Sequence, residues 1–182
     1  MRLLTAISFA SLAIAAPALA AEDEATGLGV NLSDDFIVEA TPPQAQYSAN
    51  FGVKSASGTP ANFEGEAYLC QVSFAPAPQN ADLSQEEINT MVGSPEWVDM
   101  AKQSMSPVFT FEDDTAFELA GYNGHEFIAV PKQEGAENVR LVLSMLETAK
   151  GRTAISCVAD AETLDEAIDA FRTIRDGVTP PA

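Results

Sequence analysis

The side chains most often used in catalysis are scarce in this sequence. Its 182 residues include one histidine, His125, and two cysteines, Cys70 and Cys157. A nucleophile activated by histidine would have to use His125, and no Gly-x-Ser-x-Gly turn is present to hold one. Asn123-Gly124 predicts a two-residue hairpin turn with His125 opposite Tyr122 at its solvent-facing tip. We therefore expect His125 to be a surface residue and not a catalytic one.

Metal and cofactor sites are not indicated either. A typical zinc site needs three or four His, Cys or carboxylate ligands, and the sequence cannot furnish a usual set. Gly27-Leu28-Gly29 is followed by an extended run rather than by a helix, so it does not match a phosphate-binding loop. We therefore expect no metal and no cofactor.

The two cysteines are better suited to structure than to redox chemistry. Cys70 and Cys157 each lie in an apolar, strand-like run. No Cys-x-x-Cys spacing is present to lower the pKa of a thiol. In an oxidising compartment the two would form one disulfide, which closes a long loop and would contribute on the order of 4 kcal/mol to stability. Two buried free thiols are the alternative.

Carboxylates are abundant and supply two alternative functions. Asp and Glu number 27, and three of them, Glu112, Asp113 and Asp114, fall in a predicted turn. Such a turn could bind calcium, although no Asp-x-Asp-x-Asp-Gly spacing is present to form a defined cage. Solvated turn acids explain the same residues more simply. A carboxylate-dependent hydrolase would instead need two acids that converge in a cleft.

The charge balance limits the partners. Nine Lys and Arg against 27 acids give a formal net charge of −18. Nucleic-acid binding requires basic side chains that displace counterions from phosphates, so we exclude nucleic acid as a partner. Cations or basic protein surfaces are favoured.

An apolar stripe on a predicted helix is a further candidate site. Ser94-Pro95 favours a helix start, and Trp97, Met100 and Met105 follow on one face. Methionines form an adaptable surface, so these residues could line a groove for a small molecule or a peptide. The alternative is that the stripe is part of the core.

The first twenty residues predict export. Arg2 supplies a positive charge, residues 3–15 are apolar, and Pro17 precedes Ala18-Leu19-Ala20, the small-x-small pattern that signal peptidase recognises. The apolar run is shorter than the roughly 20 residues needed to cross a bilayer. We predict cleavage after Ala20, a mature protein in the periplasm or secreted, and no transmembrane segment after cleavage.

The mature chain, residues 21–182, predicts a strand-rich domain. Alternation of apolar residues over 66–75 indicates a strand with one strongly apolar face. The runs at 139–148 and 153–159 are apolar or small on both faces, which favours central strands covered on both sides. Residues 112–114 are predicted to form a turn between two short strands.

Helices are predicted in two separate segments. Capping boxes at Ser84–Glu87 and Thr163–Glu166 begin helices, and Gly177 ends the last one as a left-handed cap. Helices in two segments can cover both faces of an antiparallel sheet, so we predict a single α+β domain, an α/β/α sandwich. Residues 21–27 are expected to be a mobile leader and residues 179–182 a tail.

The second half of the chain, residues 108–178, resembles the PsbP-like proteins. The resemblance depends on the hairpin at Gly121–Gly124, the hydrophobic strand Val139–Leu146, the turn Lys150-Gly151-Arg152, a strand ending in Cys157 and the helix Leu164–Ile174. It implies an α/β/α sandwich with a central antiparallel sheet and a non-catalytic binding or assembly role.

These features favour an exported periplasmic, non-enzymatic binding or accessory protein. We expect an acidic surface, one structural disulfide and a monomer, with a protein or small-molecule partner that the sequence does not identify. A carboxylate-dependent hydrolase and a calcium-stabilised binding protein are the alternatives.

Overall fold

The computed structural model describes residues 19–44 and 46–182, which form antiparallel sheets and α-helices. The strands are β1 (Leu19–Asp23), β2 (Leu28–Leu32), β3 (Phe36–Ala40), β4 (Ala49–Ser55), β5 (Cys70–Pro76), β6 (Phe109–Leu119), β7 (Tyr122–Pro131), β8 (Val139–Glu147), β9 (Gly151–Asp160) and β10 (Val178–Thr179). The helices are α1 (Gln85–Val92), α2 (Pro95–Met105) and α3 (Leu164–Asp176).

Seven strands form the central sheet in the order β3-β4-β5-β9-β8-β7-β6, and β1-β2-β10 form a second, smaller sheet. Alternate residues of each strand point to opposite faces of the central sheet. One face, which we call the α3 face, packs against α3 and the small sheet. The other, the α1–α2 face, packs against α1 and α2. The predicted α+β class with a helix-flanked antiparallel sheet is confirmed.

Each face has its own apolar core. On the α3 face, Phe171 and Ile174 of the helix belong to one cluster with Leu146 and Ile155 of the sheet. On the α1–α2 face the fully or nearly fully buried members of the cluster include Ile88, Val92, Trp97 and Phe127. Burying each such side chain contributes roughly 1.5–3 kcal/mol, so the helices are held mainly by these contacts.

The predicted disulfide is confirmed. Cys70 and Cys157 lie directly opposite each other in the β5–β9 pair, and their Cα atoms are 4.1 Å apart. Both residues are buried in the core of the α3 face. The bond therefore joins two central strands that are far apart in sequence.

The predicted capping hydrogen bonds are present at the starts of α1 and α2 but not of α3. In α1, the Ser84 hydroxyl accepts a hydrogen bond from the Glu87 N–H (3.3 Å), and the Glu87 carboxylate accepts one from the Ser84 N–H (2.8 Å). In α2, the Ser94 hydroxyl accepts from the Trp97 N–H at 3.2 Å. Both starts were predicted from local pattern.

The predicted caps of α3 are wrong. Thr163 precedes the helix in a helical conformation (φ −108°, ψ −1°), so its hydroxyl donates to the Asp160 carbonyl at 3.3 Å instead of capping. Gly177 has φ −85° and is not left-handed. A glycine fits there because a Cβ would lie 2.5 Å from Cδ2 of Leu32, where the chain passes close to β2.

The ends of the domain are also better packed than predicted. Part of the expected leader lies in β1, where Ala21 is paired with Val30 of β2. Part of the expected tail lies in β10, where Thr179 is paired with Gly29 of β2. Pro181 is buried, and its carbonyl accepts a hydrogen bond from the Thr148 hydroxyl at 2.5 Å. The tail pairs with a strand that is distant in sequence, so it left no local signal.

Residues 1–18 of the predicted signal peptide lie outside the described residues. Cleavage after Ala20 remains a prediction, and it would leave Ala21–Asp23 of β1 in place on β2. No helix in the described part of the chain is long and apolar enough to span a membrane.

The β6–β7 hairpin turns at a different place from the one predicted. Leu119 is paired with Tyr122, and Ala120 and Gly121 form the turn with φ of 53° and 87°. Gly124 instead lies within β7, at a position that suits glycine because a Cβ there would come within 2.4 Å of the Phe117 ring. The predicted turn at 112–114 is wrong as well, since β6 continues through it with an irregular register between 111 and 113.

Candidate functional site

A cleft of about 340 Å³ opens on the α1–α2 face, beside the C-terminal end of α2. Its apolar wall is formed by Ala75, Ala77, Met105, Met145 and Ala154. Polar side chains complete the lining: Gln46, Tyr47, Gln79, Glu147 and Arg152. We call this feature the Arg152 cleft.

Strand register brings the two charged residues of the cleft together. In the β8–β9 hairpin, Glu147 lies directly opposite Arg152, and Met145 lies opposite Ala154. All four therefore point to the α1–α2 face. On the other side β9 runs close to β5, and a Cβ on Gly151 would lie 2.2 Å from the Ala75 carbonyl oxygen. The backbone geometry of this corner is therefore fixed by packing.

Glu147 is a buried carboxylate whose charge is compensated. Its side chain is 4% exposed. Oε1 accepts from Nε (3.1 Å) and Nη2 (2.5 Å) of Arg152, and Oε2 accepts from Nδ2 of Asn80 at 2.7 Å. A buried charge is tolerated only with such partners. Glu147 thus orients Arg152 rather than remaining free for chemistry.

The guanidinium of Arg152 contacts Trp97 and Glu147, and its remaining edge is exposed to solvent. Its guanidinium lies over the Trp97 ring, 5.9 Å from the centroid, as in a cation–π contact. One edge of the guanidinium is occupied by Glu147, while 42% of the side chain is exposed. No hydrogen bond joins Nη1 to any described residue. The cleft therefore contains an oriented cation with unused donors.

The structure divides the three residues of the predicted groove. Trp97 is 2% exposed and lies in the core beneath Arg152. Met105 lines the cleft. Met100 is 57% exposed and lies away from it, because Ala101 is the residue that follows Trp97 into the core. Sequence reasoning missed Arg152 as a site residue, although the Lys150-Gly151-Arg152 turn was visible.

The prediction of a surface position for His125 is wrong. The corrected register places it inside β7 opposite Ala116. It is 8% exposed, between the rings of Trp97 and Phe127 at centroid distances of 5.8 and 6.1 Å. Neither ring nitrogen has a hydrogen-bond partner among the described residues. Burial lowers the pKa of His125, and the nearby carboxylate of Asp114 opposes this effect only in part.

This burial predicts loss of stability in mild acid. His125 is the single histidine, and its pKa is lowered in the folded state, so below about pH 6.5 the unfolded chain binds the extra proton. Stability should fall as the pH drops through this value, by at most about 1.4 kcal/mol per pH unit. Urea unfolding of the wild type and His125→Phe at pH 7.5 and 5.5 measures the effect. Equal losses in the two proteins would contradict it.

The predicted calcium ligands do not converge. Glu112, Asp113 and Asp114 lie in strand β6, at its irregular register, rather than in a loop. Glu112 accepts from Nε of Arg140 at 2.7 Å, and Asp114 forms an ion pair with Lys102. Within residues 19–44 and 46–182, no group of three or more His, Cys, Asp or Glu is placed to hold a metal ion.

The acids do not form a hydrolase-like pair at the two buried positions. Glu126 is directed to the α3 face and Glu147 to the α1–α2 face, so the central sheet separates them. Each is instead paired with arginine, Glu126 with Arg172 and Arg175. Glu126 and Glu147, the two buried carboxylates in the described part of the chain, therefore orient guanidinium groups.

Comparison with known proteins identifies the fold. No protein-family model and no curated protein sequence matches the chain. The structure is similar to cyanobacterial PsbP (CyanoP) from Synechocystis sp. PCC 6803, with a TM-score of 0.55 and 10% identity over 96% of this chain and 98% of that one. A Pseudomonas aeruginosa protein of unknown function gives a TM-score of 0.48 and 8% identity over 92% and 99%.

The similarity to CyanoP shows a PsbP-like fold. It extends over almost the whole chain, whereas the resemblance in the sequence covered residues 108–178. The strands and helices before residue 108 therefore belong to the same architecture.

Proposed function

We propose that this protein is an exported, non-enzymatic binding or accessory protein whose ligand binds in the Arg152 cleft. The observation that supports this most is the arrangement of Glu147, Arg152 and Trp97 beside an apolar wall. A concave, mainly apolar surface with a few oriented polar groups is the usual form of a ligand site.

The chemistry of the cleft favours binding over turnover. General acid–base catalysis needs a group that is free to exchange a proton with the substrate. Glu147 already accepts three hydrogen bonds, and the guanidinium of Arg152 has hydrogen-bond donors but no acceptor. His125 is buried between aromatic rings and does not line the cleft.

Two features support location in the periplasm or outside the cell. The first twenty residues have the pattern of a signal peptide. The Cys70–Cys157 disulfide is typical of oxidising compartments. We propose that the mature protein is a monomer that begins at Ala21 and, at a net charge well below zero, does not bind nucleic acid.

Export has a direct test. When the full chain is expressed in a Gram-negative host, we expect the protein in the periplasmic fraction with Ala21 as its N-terminal residue, measured by intact-mass analysis. Ala20→Arg should block processing, because the cleavage site requires small residues, while Ala21→Arg is a control beyond the recognised pattern. Recovery of an unprocessed cytoplasmic protein from the wild type would contradict export.

Binding in the cleft has a separate test that uses an apolar anionic dye, anilinonaphthalene sulfonate, as the probe. Ala154→Phe should fill the cleft and weaken dye binding by about tenfold, the effect of losing a well-packed contact of about 1.4 kcal/mol. Met100→Phe, on the exposed side of α2, should leave dye binding unchanged. Thermal unfolding would confirm that both variants are folded. Equal binding by all three proteins would place the dye elsewhere and contradict the proposal.

A further inference from the structure

We propose that the Arg152 cleft binds a single carboxylate attached to a small apolar group. This proposal depends on the proposed function and specifies the class of its ligand. A small organic acid and the C-terminal residue of a peptide share this chemistry.

The open edge of Arg152 determines the charged part of the ligand. A guanidinium has five N–H donors in a planar fork, which suits the two oxygens of a carboxylate. Glu147 occupies Nε and one side of Nη2, so Nη1 and the remaining hydrogen of Nη2 are left for a ligand. Trp97 below and Glu147 beside the group restrict the direction of approach.

Orientation of Arg152 before binding makes this edge effective. The side chain of a free arginine loses rotamer entropy when it binds an anion. Here Glu147 and Trp97 have already fixed the guanidinium, so a ligand need not order it. Tyr47 lines the same cleft and has a hydroxyl that is suited to donate a second hydrogen bond.

The charge of the surroundings favours a monoanion. Arg152 and Glu147 together are neutral, and the whole chain has a formal net charge of −18. A phosphate dianion would meet stronger repulsion from this field than a carboxylate. The net charge therefore selects against more highly charged anions.

The rest of the cleft determines the apolar part of the ligand. Its wall contains the side chains of Met105 and Met145 and three alanines. Its volume of about 340 Å³ is at the small end of the range for ligand sites. An aliphatic group of a few carbons fits these properties, and methionine side chains adapt to its shape.

The test compares hexanoate with hexanamide, which have the same carbon chain but differ in charge. Trp97 is the single tryptophan and lies under Arg152, so its fluorescence reports binding. The wild type should bind hexanoate at least tenfold more tightly, since a hydrogen bond to a charged group is worth about 1.5–3 kcal/mol. Arg152→Gln should abolish the preference. Lys150→Gln, which removes an exposed cation from the same turn, should retain it.

A double variant tests the proposal even if Arg152→Gln fails to fold. Arg152→Gln leaves Glu147 buried without its main partner, so the double variant Glu147→Gln with Arg152→Gln removes both charges and leaves no unpaired buried carboxylate. This double variant should bind hexanoate and hexanamide equally. If the double variant still bound hexanoate more tightly than hexanamide, as the wild type should, the proposal would be overturned.

The remaining outcomes separate this proposal from the proposed function. The wild type could bind hexanoate and hexanamide equally, with both affinities lost in Ala154→Phe. That result would refute recognition of a carboxylate but would still support the cleft as the binding site. Binding of neither probe, together with dye binding unaffected by Ala154→Phe, would refute both. If hexanoate is preferred, N-acetyl-alanyl-leucine identifies the source: tighter binding than hexanoate supports a peptide C-terminus, and weaker binding supports a small organic acid.

Discussion

Replacing Cys70 and Cys157 together by alanine should lower the free energy of unfolding by about 4 kcal/mol. The two residues are separated by 87 positions in sequence, so the disulfide removes much of the conformational freedom of the unfolded chain. For a domain of this size, a loss of that amount lowers Tm by roughly 10 °C. Urea unfolding of the wild type and the double variant measures both quantities.

The slope of the unfolding curve distinguishes the cross-link from lost packing. Without the disulfide the unfolded chain is more expanded, so the m-value should rise as well as the stability fall. The control is wild-type protein reduced while unfolded and refolded in reductant, which keeps both sulfur atoms. It should match the double variant to within about 1 kcal/mol. A reduced wild type as stable as the oxidised protein would show that the bond contributes little.

Glu126→Gln should cost about 3 kcal/mol of stability, because it removes the charge of a buried carboxylate that is paired with Arg172 and Arg175. The Glu126 side chain is 4% exposed. Its Oε1 accepts from Nη2 of Arg172 at 2.8 Å, and its Oε2 accepts from Nη1 of Arg175 at 2.9 Å. The hydrogen bond to Glu126 raises the pKa of Arg172. These contacts join α3 to the central sheet, so their loss weakens that junction.

Two further variants show whether charge is the cause. Glu118→Gln removes an exposed carboxylate from the neighbouring strand β6 and should change stability by less than about 0.5 kcal/mol. Replacing Glu126, Arg172 and Arg175 together by methionine should recover most of the stability, since apolar residues of similar volume can substitute for buried ion pairs. Urea unfolding provides the measurement. A triple variant less stable than Glu126→Gln would contradict the explanation.

Local patterns predicted much of the fold. The capping box at Ser84 and the proline start of α2 depend on residues within one helical turn, and both are present. The strands over 139–147 and 151–160 were visible because they are apolar on both faces. The disulfide followed from the count of cysteines and the expected compartment. Each of these predictions needs only short-range information or composition.

The largest error, the position of the β6–β7 turn, has a physical cause in packing between strands. Asn123-Gly124 is a strong turn signal, yet the chain turns at Ala120-Gly121, because Gly124 packs against Phe117 and the Met145 carbonyl. That shift moved His125 from an expected surface tip into the core. Packing among β6, β7 and β8 therefore outweighed the turn preference of Asn123-Gly124.

The candidate site was predictable only in part. Met105 was expected beside an apolar groove and does line the cleft. Arg152 and Glu147 become neighbours through the register of the β8–β9 hairpin, and the indole beneath them comes from a helix that is distant in sequence. A cleft formed by α2, β5, β8 and β9 has no continuous signature along the chain.

The small sheet also constrains the order in which the chain folds. Strand β2 is bonded to β1 on one side and to β10 on the other, so it needs partners from both ends of the domain. During synthesis from the N-terminus, Val30 has no β10 partner until residues 178 and 179 have emerged. Hairpins can build the β3–β4–β5 and β6–β7–β8–β9 parts of the central sheet, whereas the β5–β9 and β2–β10 pairings join residues far apart in sequence and are slow to form. The small sheet is therefore complete only after β10 has been made.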